Sequence, residues 1–296
     1  MKKYKFILLT ILGGFAINSC DEKSPYELAD NYIYVQKEDR RNDSTEWVLV
    51  WEDHFDKGSL DTTRWTRIGL FTSPEWKVPV EKWRSVTNCF RYITSTDDRV
   101  VGFDASNIML KGIINPDSLT GDDPRPYLTG GIYSRHKFAF QYGRLEVKAK
   151  LDPAWGAWPA IWTLPEEKIF PTHHNGEMDL MERLNHDDFA YQTTHNQFSK
   201  VLKVNDPPRS TKAKIDTTNY NVYSVSWYPD KLVYGVNGGD TYTYPRVPGG
   251  GTFQWPFDQP FYIIIDQQME HVWPGPISHP EELPISMTVD WVRLYQ

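Results

Sequence analysis

Two cysteines, Cys20 and Cys89, are all that 296 residues provide, so a disulfide framework is excluded and the fold must rest on core packing. If Cys20 is taken up by processing, Cys89 is a lone thiol, and no residue near it in sequence resembles a base that would make it a nucleophile. Outside the N-terminal segment, no run of twelve or more residues carries a convincing 3.6-residue apolar period, which argues against a helical domain. No internal repeat stands out. Positive charge is also scarce: the formal net charge is −7, and no basic cluster or basic–aromatic alternation is present. Nucleic acid is therefore excluded as a partner, and a heavily sulfated substrate would need a local basic cleft that the sequence does not reveal.

What is abundant is aromatic surface. Twelve Trp, seventeen Tyr and fourteen Phe exceed the needs of one core and leave rings for stacking on sugars as well as for packing. Short alternating runs dominate from Trp47 onward: residues 47–51, 142–151, 222–228, 232–236, 261–265 and 287–295. Turn signals separate several of them, at Pro229-Asp230-Lys231, Asn237-Gly238-Gly239-Asp240 and Pro248-Gly249-Gly250-Gly251. The pattern predicts one all-β domain over residues 47–296, an antiparallel sandwich with long loops. The last alternating run reaches Tyr295, so truncation there would remove a core strand.

The N-terminus reads as targeting. Met1-Lys2-Lys3-Tyr4-Lys5 precedes an apolar run from Phe6 to Ile17 that is too short for a comfortable membrane span. It ends on Ile17-Asn18-Ser19-Cys20, which resembles a bacterial lipobox with Cys20 as the lipidated residue. Asp21-Glu22-Lys23 follows and resembles the surface-export signal of Bacteroidetes lipoproteins. The expected organisation is a signal peptide over 1–19, a lipid anchor and polar tether over 20–46, and a monomeric domain exposed at the outer membrane surface. Loss of residues 1–19 would remove three lysines and no acid, moving the net charge from −7 to −10.

The segment Glu177-Met178-Asp179-Leu180-Met181-Glu182 places three carboxylates in an otherwise apolar run. Burial and mutual repulsion make such a cluster costly, and chemistry with two closely held carboxyls, glycosidic cleavage above all, accounts for it. On a strand, Glu177 and Asp179 share a face, whereas strict alternation sends Glu182 to the other. One extra residue, a β-bulge at Leu180-Met181, returns Glu182 to the face of its partners. The natural division of labour is Glu177 as ionised nucleophile, Glu182 as protonated acid and later base, and Asp179 as the group that orients Glu177. Salt bridging or Ca²⁺ binding by the same acids is the alternative, although Ca²⁺ ligands usually come from loops.

Trp158-Pro159-Ala160-Ile161-Trp162 upstream and Thr194-His195 downstream complete a pattern that resembles glycoside hydrolase family 16, laminarinase-like branch. Leu49-Val50-Trp51-Glu52-Asp53-His54-Phe55, Thr129-Gly130-Gly131-Ile132-Tyr133-Ser134, Tyr142-Gly143-Arg144-Leu145-Glu146 and Val289-Asp290-Trp291-Val292-Arg293-Leu294-Tyr295 extend the likeness over residues 47–296. The resemblance implies a β-jelly roll of two curved antiparallel sheets with a concave groove, and endo-acting retaining hydrolysis of a β-linked polysaccharide. It implies Glu177 as nucleophile, Asp179 as assisting acid, Glu182 as acid/base, Trp158 and Trp162 at the donor side, and His195 near the scissile bond. No cofactor is required by this chemistry. Asp290 matches a position that binds structural Ca²⁺ in many members.

The sequence departs from the laminarinase pattern at Asp266-Gln267-Gln268-Met269-Glu270-His271-Val272-Trp273, where two glycines are replaced by Glu270 and His271. This stretch is expected to be a loop over the groove, with Gln267, Glu270 and Trp273 as substrate contacts. Three functions are compatible with these residues. The first is an endo-β-1,3- or β-1,3/1,4-glucanase, and the second an endo-β-1,4-galactosidase on poly-N-acetyllactosamine of mucin-type O-glycans. The third, of a different class, is a non-catalytic surface glycan-binding protein.

Overall fold

The computed structural model describes residues 47–68, 97–104, 106–121, 125–167 and 175–296, together with the backbone of 33–36. Cys20, Cys89, the signal segment and most of the expected tether lie outside the described residues. In chain order the first nine strands are β1 (Ile33–Gln36), β2 (Leu49–Asp53), β3 (Thr66–Arg67), β4 (Val101–Asp104), β5 (Asn107–Ile114), β6 (Tyr127–Thr129), β7 (Gly131–Tyr133), β8 (Phe138–Gln141) and β9 (Gly143–Leu151). The remainder are β10 (Ala157–Pro165), β11 (Glu177–Glu182), β12 (Phe189–His195), β13 (Ser210–Lys214), β14 (Asn221–Trp227), β15 (Lys231–Val236), β16 (Gly239–Pro245), β17 (Phe261–Met269) and β18 (Ile285–Tyr295). The longest helix among the described residues has five residues, Pro116–Thr120, in keeping with the missing 3.6-residue period.

The strands form two nine-stranded sheets. One runs β1-β8-β17-β10-β11-β12-β13, with β7 on β17 and β3 on β7; the other runs β16-β15-β14-β9-β18-β5-β4, with β2 on β18 and β6 on β5. All pairings are antiparallel except that of β1 with β8. The core lies between the sheets. Strand β9 alternates buried and half-buried residues along its whole length, as a period-two sequence on one covered face should. Aromatic rings bridge the two layers: Trp51 stacks on Phe138 at 4.0 Å between centroids, and Trp227 meets Phe140 and Phe261 edge-on at 5.5 and 5.3 Å. Each such fully buried ring contributes on the order of 2–3 kcal/mol of transfer free energy. Part of the aromatic excess is thus core.

The predicted final strand is confirmed and is central. β18 lies between β9 and β5 and also pairs with β2. Two expectations need correction. Residues 33–36, assigned to the tether, instead add a parallel strand to β8; the short Ile33-Tyr34-Val35 run favours a strand and was masked by its charged surroundings. The stretch expected to be a loop from Asp266 is still strand as far as Met269, and β17 is buried at all nine positions. Sheet position, not local polarity, decides its conformation: β17 is flanked by β10 on one side and by β7 and β8 on the other.

Candidate active site

The three acids stand on β11, and the predicted bulge is there. Asp179 faces Thr193 of β12, while Glu182 faces Tyr191, so three steps on β11 match two on β12. The pairing with β10 shifts at the same place: Ile161 faces Met181 and Trp162 faces Asp179. Met178, Leu180 and Met181 are all fully buried while the acids share the other face. A bulge leaves ladder groups unpaired, and here Gln192 of β12 repairs the gap: its side-chain amide donates to the Leu180 carbonyl at 2.9 Å and to the Gly235 carbonyl at 3.1 Å. Thr241 donates to the other end of the same amide. Gln192 was not singled out from the sequence; nothing but its partner across the bulge marks it.

Cross-strand register places the groove-facing neighbours in rows. Glu182 pairs with Ala160, and Ala160 with Asp266. Asp179 pairs with Trp162, Trp162 with Ile264, and Ile264 with Tyr133. Ala160 is therefore the small residue between Glu182 and Asp266, with Trp158 and Trp162 two residues away on either side. Both indoles donate into these end groups: Trp158 Nε1 to Glu182 Oε1 at 3.0 Å, and Trp162 Nε1 to Asp266 Oδ1 at 2.7 Å. Asp266, fully buried, is a fourth acid beside the three on β11.

Burial controls the charge states. The Glu177 carboxyl is pushed up to about 7 by loss of water, with the neighbouring Asp179 charge adding to the effect. Asp179, 2 % exposed, is likewise raised chiefly by burial. Glu182, 8 % exposed, is raised well above the ordinary carboxylate range by burial and then by the charges of Asp179 and Glu177; the Trp158 hydrogen bond opposes this. Burial also lifts Asp266, to about 7. Of the acids on β11, Glu182 is the one pushed furthest toward the protonated form.

His195 pairs with Glu177 across β11 and β12. Its Nε2 is 3.0 Å from Asp179 Oδ2 and 3.6 Å from Glu177 Oε1, although the first contact is off the hydrogen-bonding axis. On the other side of the ring, Arg209 Nη1 donates to Nδ1 at 2.8 Å. Burial holds the imidazole down, to about 4, with Lys200 and Arg209 working in the same direction against Glu177. Glu177, Asp179 and His195 each offer an atom within 4.8 Å of the others, a spacing suited to a cation. The donor set fits one poorly, because a nitrogen that accepts from Arg209 leaves the ring proton on Nε2, the atom a metal would need.

Beyond Met269 the chain turns at Glu270, which has φ +55°. Glu270 Oε1 accepts from the Ile277 amide at 3.2 Å and so braces the turn from within. Trp273, 43 % exposed, reaches across β11: it meets Trp158 of β10 edge-on at 5.4 Å and Tyr191 of β12 at 4.8 Å. His271 also meets Trp158, at 4.9 Å between ring centroids. Trp158, Trp162, His195 and Trp273 are thus brought to the face of the three acids. Gln267 is not: it pairs with Pro159 and its Cγ approaches the Cα side of Gly112 on the opposite sheet. Strand alternation turns Gln267 into the sandwich and gives the groove to Gln268. Asp290 lies on β18, paired at 2.6 Å with Lys148; among the described residues it joins no cluster of three ligating side chains.

The comparisons agree with this geometry. The profile of Glycosyl hydrolases family 16 matches residues 93–293. The chain is 37 % identical over 259 residues to a keratan-sulfate endo-1,4-beta-galactosidase of Sphingobacterium multivorum, covering 86 % of this chain but only 56 % of that protein. The laminarinase structure from Rhodothermus marinus superposes with a TM-score of 0.72 at 25 % identity, covering 85 % of this chain and 98 % of that one. A structure from work on endo-acting O-glycanases of the human gut microbiota gives 0.64 at 26 % identity, over 83 % and 98 % of the two chains. With its three acids on a bulged strand and a profile match over most of its length, the chain belongs to glycosyl hydrolases family 16.

Proposed function

We propose that this chain is a retaining endo-β-glycosidase that cleaves internal β-1,4-galactosidic bonds in chains of the poly-N-acetyllactosamine type. The observation that carries the substrate class is the 37 % identity with a keratan-sulfate endo-1,4-beta-galactosidase. The altered segment after Ile265 supports the same choice, because Trp273 closes one side of the groove against Trp158 and Tyr191. Of the two hydrolase readings drawn from the sequence, β-glucanase and endo-β-1,4-galactosidase, this identity favours the latter. Likeness to a laminarinase structure favours the β-1,3- or β-1,3/1,4-glucan reading as the second.

In the proposed cycle Glu177 attacks the anomeric carbon while Glu182 donates its proton to the departing oxygen; Glu182 then takes a proton from the water that releases the sugar. The raised pKa of Glu182, with Trp158 holding one of its oxygens, suits a group that must begin protonated. Asp179, between the two in sequence and 3.0 Å from His195, orients Glu177. Incubation with keratan-type chains, mucin, laminarin and barley β-glucan, followed by product sizing, tests the substrate. Oligosaccharides from laminarin or β-glucan alone would overturn the galactosidase reading. Release of the α-anomer first, seen by NMR, would overturn the retaining mechanism, and Glu177→Gln should abolish cleavage while oligosaccharide binding persists.

Lys2 to Lys5, the apolar run and Cys20 support a lipid-anchored protein displayed at the outer membrane. Metabolic labelling with a fatty acid, lost in Cys20→Ser, is the corresponding test.

A further inference from the structure

The geometry points to Arg209 as a positioning residue that fixes the tautomer of His195, so that a neutral imidazole presents one N–H to the Glu177–Asp179 pair; this rests on the catalytic roles proposed above. Arg209 lies immediately before β13, and its carbonyl accepts from the Thr194 amide at 2.8 Å, which ties it to the residue next to His195. The preceding carbonyl, Pro208, accepts from the Tyr242 hydroxyl. The segment is therefore held from both sheets.

A guanidinium donates and cannot accept. With Arg209 Nη1 2.8 Å from Nδ1, Nδ1 must present its lone pair, and the single proton of neutral imidazole goes to Nε2. That atom is within reach of both Asp179 Oδ2 and Glu177 Oε1; contacts of this kind in unliganded sites tighten when substrate binds. A second proton on Nδ1 would set N–H against N–H and add an imidazolium beside a guanidinium. The charged and titratable groups around the ring are Glu177 and Asp179 from β11, Lys200 from the short helix Gln197–Lys200, and Arg209 itself. Only the acids favour protonation; Lys200 and Arg209 both oppose it. The consequence for catalysis is specific. A neutral N–H stabilises a carboxylate without pairing it to a full positive charge, so Glu177 can ionise yet remain nucleophilic.

The test is histidine-selective ¹⁵N NMR on the full chain, with His195→Gln assigning the signal among the eight histidines. The wild-type resonance should be a single Nε2–H tautomer that does not titrate between pH 5 and 8. Arg209→Met should give mixed tautomers, with Nδ1–H populated beside Nε2–H, while burial still holds the ring below the ordinary histidine range. Its kcat should fall about tenfold with KM little changed, because the N–H that supports the ionised nucleophile is no longer fixed. Arg209→Lys, which restores a donor, should recover part of both effects and serves if the Met variant does not fold. An Nδ1–H tautomer in the wild type, or wild-type spectra in both variants, would overturn the inference. A wild-type protein with the expected tautomer that cleaves none of the glycans would instead overturn the proposed function.

Discussion

Trp158 Nε1 donates to Glu182 Oε1 at 3.0 Å, and the ring that makes this bond is also packed against Trp273 and His271. One oxygen of Glu182 is thereby taken by a donor, which leaves the carboxyl proton for Oε2. The acid is held in place by the same indole that lines the groove, so substrate contacts and proton transfer share one rigid support.

Trp158→Phe keeps the ring but removes the donor. The hydrogen bond lowers the pKa of Glu182 against the effect of burial, so its loss should move the basic limb of kcat/KM to higher pH. The rate should drop about tenfold, equivalent to about 1.4 kcal/mol for one hydrogen bond. A pH–rate profile on a defined oligosaccharide reads both effects; an unmoved basic limb would mean that Glu182 is not the acid.

Glu182→Gln should lose activity by at least about 10² to 10⁴, the usual contribution of a general acid, yet gain thermal stability at pH 8. The reason is that the wild-type carboxyl is held protonated in the fold but ionises freely when unfolded. An amide removes that bias while keeping an acceptor for Trp158. Melting curves of the two proteins at pH 5 and pH 8 should separate only at the higher pH.

Asp266 makes the same argument away from the acid/base pair. Its pKa rises from 3.8 to about 7 on folding, so the folded state binds more protons than the unfolded one between these values. Stability therefore falls as pH rises from about 4 to about 7, by up to about 4 kcal/mol from this group. In Asp266→Asn, whose amide oxygen can still accept from Trp162, the loss of melting temperature between pH 5 and pH 8 should be smaller than in the wild type. An identical pH dependence would show that Asp266 is not the buried acid described.

Gly156 has φ +84°, and a Cβ there would come within 2.7 Å of the Ile277 amide nitrogen. Backbone cannot move aside as a side chain can, and the left-handed conformation is strained for alanine. Since Ile277 is the residue bonded to Glu270, Gly156→Ala should displace the turn that carries Trp273. Expected outcomes are a loss of about 1–3 kcal/mol in denaturant unfolding and weaker oligosaccharide binding by titration calorimetry.

Much of the site is legible in the chain itself. The spacing Glu177-Met178-Asp179-Leu180-Met181-Glu182 demands a bulge because side chains alternate with period two, and β11 has that bulge at Leu180-Met181. The alternating runs from Leu49 to Tyr295 likewise become strands, since a half-covered sheet rewards that pattern. What misled was polarity. Asp266, Gln267 and Gln268 read as loop, yet lie in a strand buried from end to end.

Sequence alone determined the acid cluster and the sandwich, because periodicity is local and is written residue by residue. Only the tertiary structure decided that Arg209 stands behind His195, that Gln192 closes the bulge, that Gln268 rather than Gln267 faces the groove, and that Trp273 crosses β11 to Tyr191. These contacts join separate strands and turns, so they depend on the register between strands and on the path of each turn, which no short-range pattern encodes.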